Sequence, residues 1–137
     1  GWGYINFSHC CDALLIGWSP QRLGVDLERS DRSFSAIQIA ERYFCKKEKN
    51  TISSLDKQSL QSAVLEQWMV KEAAIKWQRG KIASDFSKWK YFSDSSLAFH
   101  QSHGYKVGIH LIRHKMWRMA IAFDIKTHLT PPILCIN

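Results

Sequence analysis

From Leu60 to Arg79 the chain runs without glycine or proline until Gly80, and no other feature restricts its fold as strongly. Such a stretch predicts one long helix with Gly80 as its stop. At roughly 100° per residue, Gln67, Lys71 and Gln78 fall on one polar stripe. Gln61, Glu72, Lys76 and Arg79 fall on a second. Val64, Trp68 and Ile75 separate the stripes on one side, and Met69, Val70, Ala73 and Trp77 on the other. A surface helix needs only one polar face. The second stripe is therefore expected to meet something polar other than bulk water.

The segments around this helix read mostly as strands. Residues 5–18 mix β-branched and aromatic positions and end at Ser19-Pro20, predicting one or two strands and a turn. Leu23-Gly24-Val25-Asp26-Leu27-Glu28 alternates apolar and acidic residues with period two, as a half-buried strand does. A polar loop, Ser30-Asp31-Arg32-Ser33, leads to an amphipathic helix at 34–44 and a shorter one at 46–55. Beyond Gly80, strands are predicted near 88–93, 96–100, 105–112 and 117–124, and the tail with Pro131-Pro132 is expected to leave the sheet. The order strands, helices, strands predicts an α+β fold with an antiparallel sheet packed against the long helix. The 137 residues suit a single domain spanning 1–137.

The net charge of +7 points to an anionic partner, whether nucleic acid, acidic protein or phosphorylated metabolite. No apolar run approaches the roughly 18 residues of a membrane span, so no membrane partner is expected. Gly1-Trp2-Gly3-Tyr4 has neither the basic start nor the apolar core of a secretion signal, and no initiator methionine. The chain is expected to be processed or part of a longer protein. Cys10, Cys11, Cys45 and Cys135 form no CxxC or zinc spacing. Adjacent Cys10 and Cys11 would point to opposite faces of a strand, so all four read as reduced thiols in a cytoplasmic protein.

Asp26 and Glu28, two apart on a strand, leave the same face. Two neighbouring carboxylates repel, and each raises the other's pKa unless a cation intervenes. A hard divalent ion is one such cation; a solvent-facing strand edge with two acids is the plainer alternative. Glu72 and Lys76 likewise admit two readings, an (i, i+4) helix pair or part of a site. His100-x-x-His103 and His110-x-x-x-His114 match no zinc motif and read as solvent-facing. Trp77-Gln78-Arg79-Gly80-Lys81 and Trp89-Lys90-Tyr91 interleave aromatics with cations, but complete no nucleic-acid motif. No nucleic-acid partner is expected.

Three elements together resemble the 4′-phosphopantetheinyl transferases. Leu23-Gly24-Val25-Asp26-Leu27-Glu28 is similar to the family's [VI]-G-[VI]-D-x-E strand. Trp68-Met69-Val70-Lys71-Glu72-Ala73-Ala74-Ile75-Lys76 is similar to its [FW]-[SCT]-x-K-E-[AS]-x-x-K helix. Leu23 and Met69 depart mildly from those patterns. Asn6-Phe7-Ser8-His9 resembles the N-x-S-H segment that precedes D-x-E in the Sfp-type enzymes, and Ala-Glu-Arg-Tyr-Phe at 40–44 resembles that subtype's first helix.

The resemblance implies the C-terminal half of a pseudo-duplicated fold, with coenzyme A bound between two halves. An N-terminal half or a second chain would then complete the cleft. It implies Mg²⁺-dependent transfer of 4′-phosphopantetheine from coenzyme A to a serine of an acyl or peptidyl carrier protein, releasing 3′,5′-ADP. Asp26, Glu28 and Glu72 would hold the metal, and Glu72, or a water it orients, would take the serine proton. Lys76 and Lys71 would neutralise phosphate charge, and Ser8 and His9 would contact the coenzyme's phosphates. Two alternatives stay open: a catalytically inactive homologous domain that binds an acidic protein, and a basic nucleic-acid-binding module.

Overall fold

A computed structural model describes residues 2–126 and 135–136. Strands β1 (Tyr4–Cys10) and β2 (Ala13–Ser19) form a hairpin, followed by β3 (Leu23–Arg29). Helices α1 (Ala36–Tyr43), α2 (Lys46–Ile52), α3 (Lys57–Gln78) and the short α4 (Ile82–Asp85) come next. Strands β4 (Trp89–Phe92), β5 (Leu97–His100), β6 (Lys106–His114) and β7 (Trp117–Asp124) follow. The main sheet is antiparallel in the order β3-β7-β6-β5-β4, and β1-β2 stands as a separate two-stranded sheet. The architecture is α+β, with the five-stranded sheet packed against α3. Short α4 was not predicted, and the expectation for Pro131-Pro132 lies outside the described residues.

Asp56 starts α3, its carboxylate accepting from the Gln58 and Ser59 backbone N–H groups at 3.0 Å. The helix ends one residue earlier than its glycine suggests. Arg79, not Gly80, takes the left-handed conformation (φ 63°), and the Gly80 N–H reaches back to the Ile75 carbonyl at 3.0 Å. This is a Schellman closure with arginine in the position glycine usually fills. Gly80 is small for another reason: a Cβ there would lie 2.7 Å from Asp85 Oδ2.

Nearly the whole circumference of α3 is enclosed. Val64, Val70, Ala73 and Ala74 are fully buried and meet Ala120, Ala122 and Val107 of the sheet and Trp89. Small side chains on both layers allow close approach, closest at Gly24. A Cβ on that residue would collide with the Ala73 carbonyl oxygen and the Trp77 backbone nitrogen. β3 is buried on both faces rather than half-buried as its alternation suggests. Gly24, Asp26 and Glu28 share the face toward α3, while Leu23 and Val25 lie close beneath Gly17 of the hairpin.

The hairpin closes the free edge of β3 with side chains instead of a backbone ladder. Asn6 Oδ1 accepts from the Val25 N–H at 2.9 Å, and Ser8 Oγ from the Leu27 N–H at 3.1 Å. Side chains two apart on one strand thus serve N–H groups two apart on the other, satisfying donors an edge strand leaves open. Cys11 lies in the hairpin turn with φ 53°, and its sulfur is 3.9 Å from that of Cys10. The two cysteines therefore do not point to opposite faces of a strand, because the strand has already ended. All four cysteines are free thiols. Among the described residues, no helix is long and apolar enough to cross a membrane.

Candidate active site

The hairpin, β3 and α3 converge on a cavity of about 410 Å³. Asp26, Glu28, Glu72 and Lys76 line it, with Ser8 and His9 on the hairpin side. The helix stripe carrying Glu72 and Lys76 therefore does face a polar site, as the helical periodicity predicts. Gly24 explains the convergence: the strand and helix backbones touch one residue pair from the acids.

Asp26 is 5 % exposed. Its Oδ1 accepts from Ser8 Oγ at 3.2 Å and lies 3.4 Å from Lys76 Nζ. Its Oδ2 is buried with no hydrogen-bond partner. Burial pushes the carboxyl up to about 7; Lys76 opposes the shift, while Glu28 and Glu72 add to it. Burial also raises Glu72, with Lys76 and Arg32 opposing and Glu28 reinforcing. Three carboxylates thus share one low-dielectric space with two cationic side chains. An orphaned buried carboxylate oxygen costs roughly 1–3 kcal/mol or more, and a divalent cation coordinated by carboxylate oxygens would remove that cost. The oxygen donor set fits a hard ion such as Mg²⁺.

In metal-free protein the raised Asp26 pKa has a stability consequence. Between pH 3.8, the ordinary value, and about 7, the folded chain holds a proton that the unfolded chain has released. Stability from this group therefore falls as pH rises through that window. Asp26→Asn should be progressively more stable than the parent as pH increases across it, measured by urea unfolding in chelator. A pH-independent difference would remove the buried, uncompensated carboxylate from the account.

Not every expected residue arrives here. Lys71 does not face the cavity: it is fully buried, its Nζ donating to Glu48 Oε1 at 2.8 Å. It lies 4.9 and 5.3 Å from the Phe44 and Phe86 ring centroids. One residue along a helix is a rotation of about 100°, which carries Lys71 away from the side Glu72 serves. The assignment of Lys71 to phosphate is accordingly corrected to a buried tie between α3 and α2. Lys71→Met should cost about 2–4 kcal/mol by stranding Glu48, with Lys90 3.8 Å away as partial replacement. Coenzyme A affinity should stay within about twofold; a large loss would return Lys71 to the site.

Ser8 lines the cavity and has a structural task beside the phosphate contact expected of it. Its single hydroxyl hydrogen goes to Asp26 and its oxygen accepts from Leu27, so it orients the carboxylate. His9 is exposed at the cavity rim. Two contributors were missed. Asn6 stood in the N-x-S-H segment without a role, and Arg32 stood in a loop where spacing has no periodic meaning. Arg32 lines the cavity and donates from Nη1 to Glu28 Oε2 at 2.8 Å.

His100 is fully buried rather than solvent-facing. Its Nδ1 accepts from the Ser102 and His103 N–H groups at 3.3 and 3.1 Å, so Nε2 carries the hydrogen bonded to Asp85 at 2.9 Å. Asp85, His100 and His103 bring potential ligand atoms within 4.8 Å. Both nitrogens of His100 are nevertheless in use, and Asp85 also accepts from Gln78, Ser84 and the Lys81 N–H. Despite burial, those hydrogen bonds hold the Asp85 carboxyl below the ordinary carboxylate range. The cluster locks α4 to α3 and β5. The aromatics flanking basic residues, Trp77, Trp89 and Tyr91, are likewise core side chains.

No individual curated protein sequence matches the chain. A family profile described as the 4′-phosphopantetheinyl transferase superfamily matches residues 22–122. That span holds both acidic elements and the sheet that supports them, and the chain belongs to the 4′-phosphopantetheinyl transferase superfamily.

Proposed function

We propose that this chain transfers the 4′-phosphopantetheine arm of coenzyme A to a serine of an acyl or peptidyl carrier protein, releasing 3′,5′-ADP. The observation that carries the reading is Asp26 Oδ2, buried without a partner in a cavity it shares with Glu28 and Glu72. Asp26, Glu28 and Glu72 would hold Mg²⁺. When bound, such an ion neutralises the charge that develops on the pyrophosphate oxygens. Ser8 and Asn6 keep β3, and with it Asp26, in a fixed orientation. Lys76, anchored to the Val25 carbonyl at 2.9 Å, offers its ammonium to a phosphate oxygen. Glu72, whose carboxyl is raised by burial, is suited to accept the serine proton, directly or through a water.

The order N-x-S-H, then D-x-E, then the lysine-glutamate helix supports the reading of an Sfp-type enzyme in which residues 1–137 would be one domain, the C-terminal half. The outward face of the hairpin adds support for a covering half or second chain. Paired residues share a face in an antiparallel ribbon. Ile5 with Trp18, Phe7 with Ile16, and Leu14 opposite His9 therefore form an apolar ladder, and it is exposed. The +7 charge would steer an acidic carrier protein toward the site. Coenzyme A as co-substrate suits a cytoplasmic location.

Isothermal titration of the full-length protein with coenzyme A, with and without Mg²⁺, tests the reading. Mg²⁺-dependent binding is expected. Absence of coenzyme A binding under both conditions would leave the inactive, protein-binding homologue in its place.

A further inference from the structure

Two of the cavity's acids are already engaged by cations of this chain, and those cations are held differently. Lys76 rises from α3 and is fixed by its bond to the Val25 carbonyl. Arg32 sits in the loop after β3, its side chain 43 % exposed, with its guanidinium 5.9 Å from the Phe34 ring centroid. Its 2.8 Å bond takes up Glu28 Oε2, one of the two oxygens that this carboxylate could offer a divalent ion. A guanidinium and a metal ion compete for the same carboxylate lone pairs. Besides Lys76, Arg32 is the one permanently charged cation among the described residues lining the cavity.

We propose that Arg32 is a second phosphate-binding residue of this site, held on Glu28 while the site is empty and turned to a coenzyme phosphate when the metal takes Glu28. The proposal rests on the metal-dependent transferase reading above and adds a residue to it. A guanidinium offers five donors in a planar fork and no acceptor. Once displaced from Glu28 at the rim, it is free to pair with another anion, and its fork matches phosphate geometry bidentately. The exchange keeps the cavity near charge balance throughout. Before loading, Arg32 offsets Glu28; after loading, the ion offsets the acids and Arg32 offsets phosphate.

The proposal predicts effects of opposite sign from one substitution. In the full-length protein, Arg32→Gln should bind Mn²⁺ alone about two- to fivefold more tightly, since a competitor for Glu28 is gone. At saturating Mg²⁺ the same variant should bind coenzyme A about tenfold more weakly. Arg32→Lys should recover only part of that loss, because an ammonium lacks the fork. Circular dichroism melting checks that the variants fold. Unchanged Mn²⁺ affinity, or unchanged coenzyme A affinity, in Arg32→Gln overturns the proposal. Failure of the parent protein to bind Mn²⁺ or coenzyme A at all instead removes the transferase reading, and this proposal with it.

Discussion

Glu72→Gln is expected to lower phosphopantetheine transfer by about 10²–10⁴-fold in the full-length enzyme while leaving the fold intact. The amide keeps the size of the carboxylate but accepts no proton and brings no negative charge to a cation. Glu72 is partly exposed at the cavity, and burial raises its carboxyl. The neutral amide should therefore be tolerated or mildly stabilising in metal-free protein. Transfer of radiolabelled or fluorescent phosphopantetheine to a carrier protein reads the rate, and urea unfolding reads the fold. Wild-type transfer by this variant would take Glu72 out of the chemistry. A lost rate with a collapsed fold would reassign it to structure.

Gly24→Ala should be the most damaging glycine-to-alanine change among the described residues. The added Cβ would strike the backbone of α3 at Ala73 and Trp77, and neither atom can rotate away as a side chain could. The helix and strand must separate, so we expect a loss of about 3 kcal/mol. Separation also moves Glu72 away from Asp26. Mn²⁺ affinity should therefore fall along with stability, although residue 24 touches neither cation nor phosphate. A variant of near-normal stability that still bound Mn²⁺ normally would show that the contact is softer than its geometry implies. The glycine of the G-V-D-x-E strand is thus explained by helix packing rather than by backbone conformation.

Much of this organisation is legible in residues close together in sequence. The glycine- and proline-free run up to Arg79 specified one long helix, and the structure has it at Lys57–Gln78. The acidic alternation at Asp26 and Glu28 located a strand, and both side chains do leave the same face toward α3. Lys71 shows where such reading stops. Its neighbours in sequence made it look like a partner of Glu72, yet Glu48, 23 positions away, claims its ammonium. His100 fails for the same reason, since its partner Asp85 lies on a four-residue helix with almost no periodic signal. Arg32 is the reverse case, a residue of an unremarkable polar loop that folds back onto Glu28.

The order of chemical groups along the chain, and the periodicities that put Asp26 with Glu28 and Glu72 with Lys76, were determined locally. Backbone geometry alone dictates which side chains of one element share a face. Which face meets which was decided only by tertiary packing. The bare backbone at Gly24 lets α3 settle on β3, Asn6 and Ser8 fasten the hairpin along the strand's open edge, and three acids are brought into one cavity. Contacts between distant elements depend on the summed burial of the core, which no short stretch of sequence records.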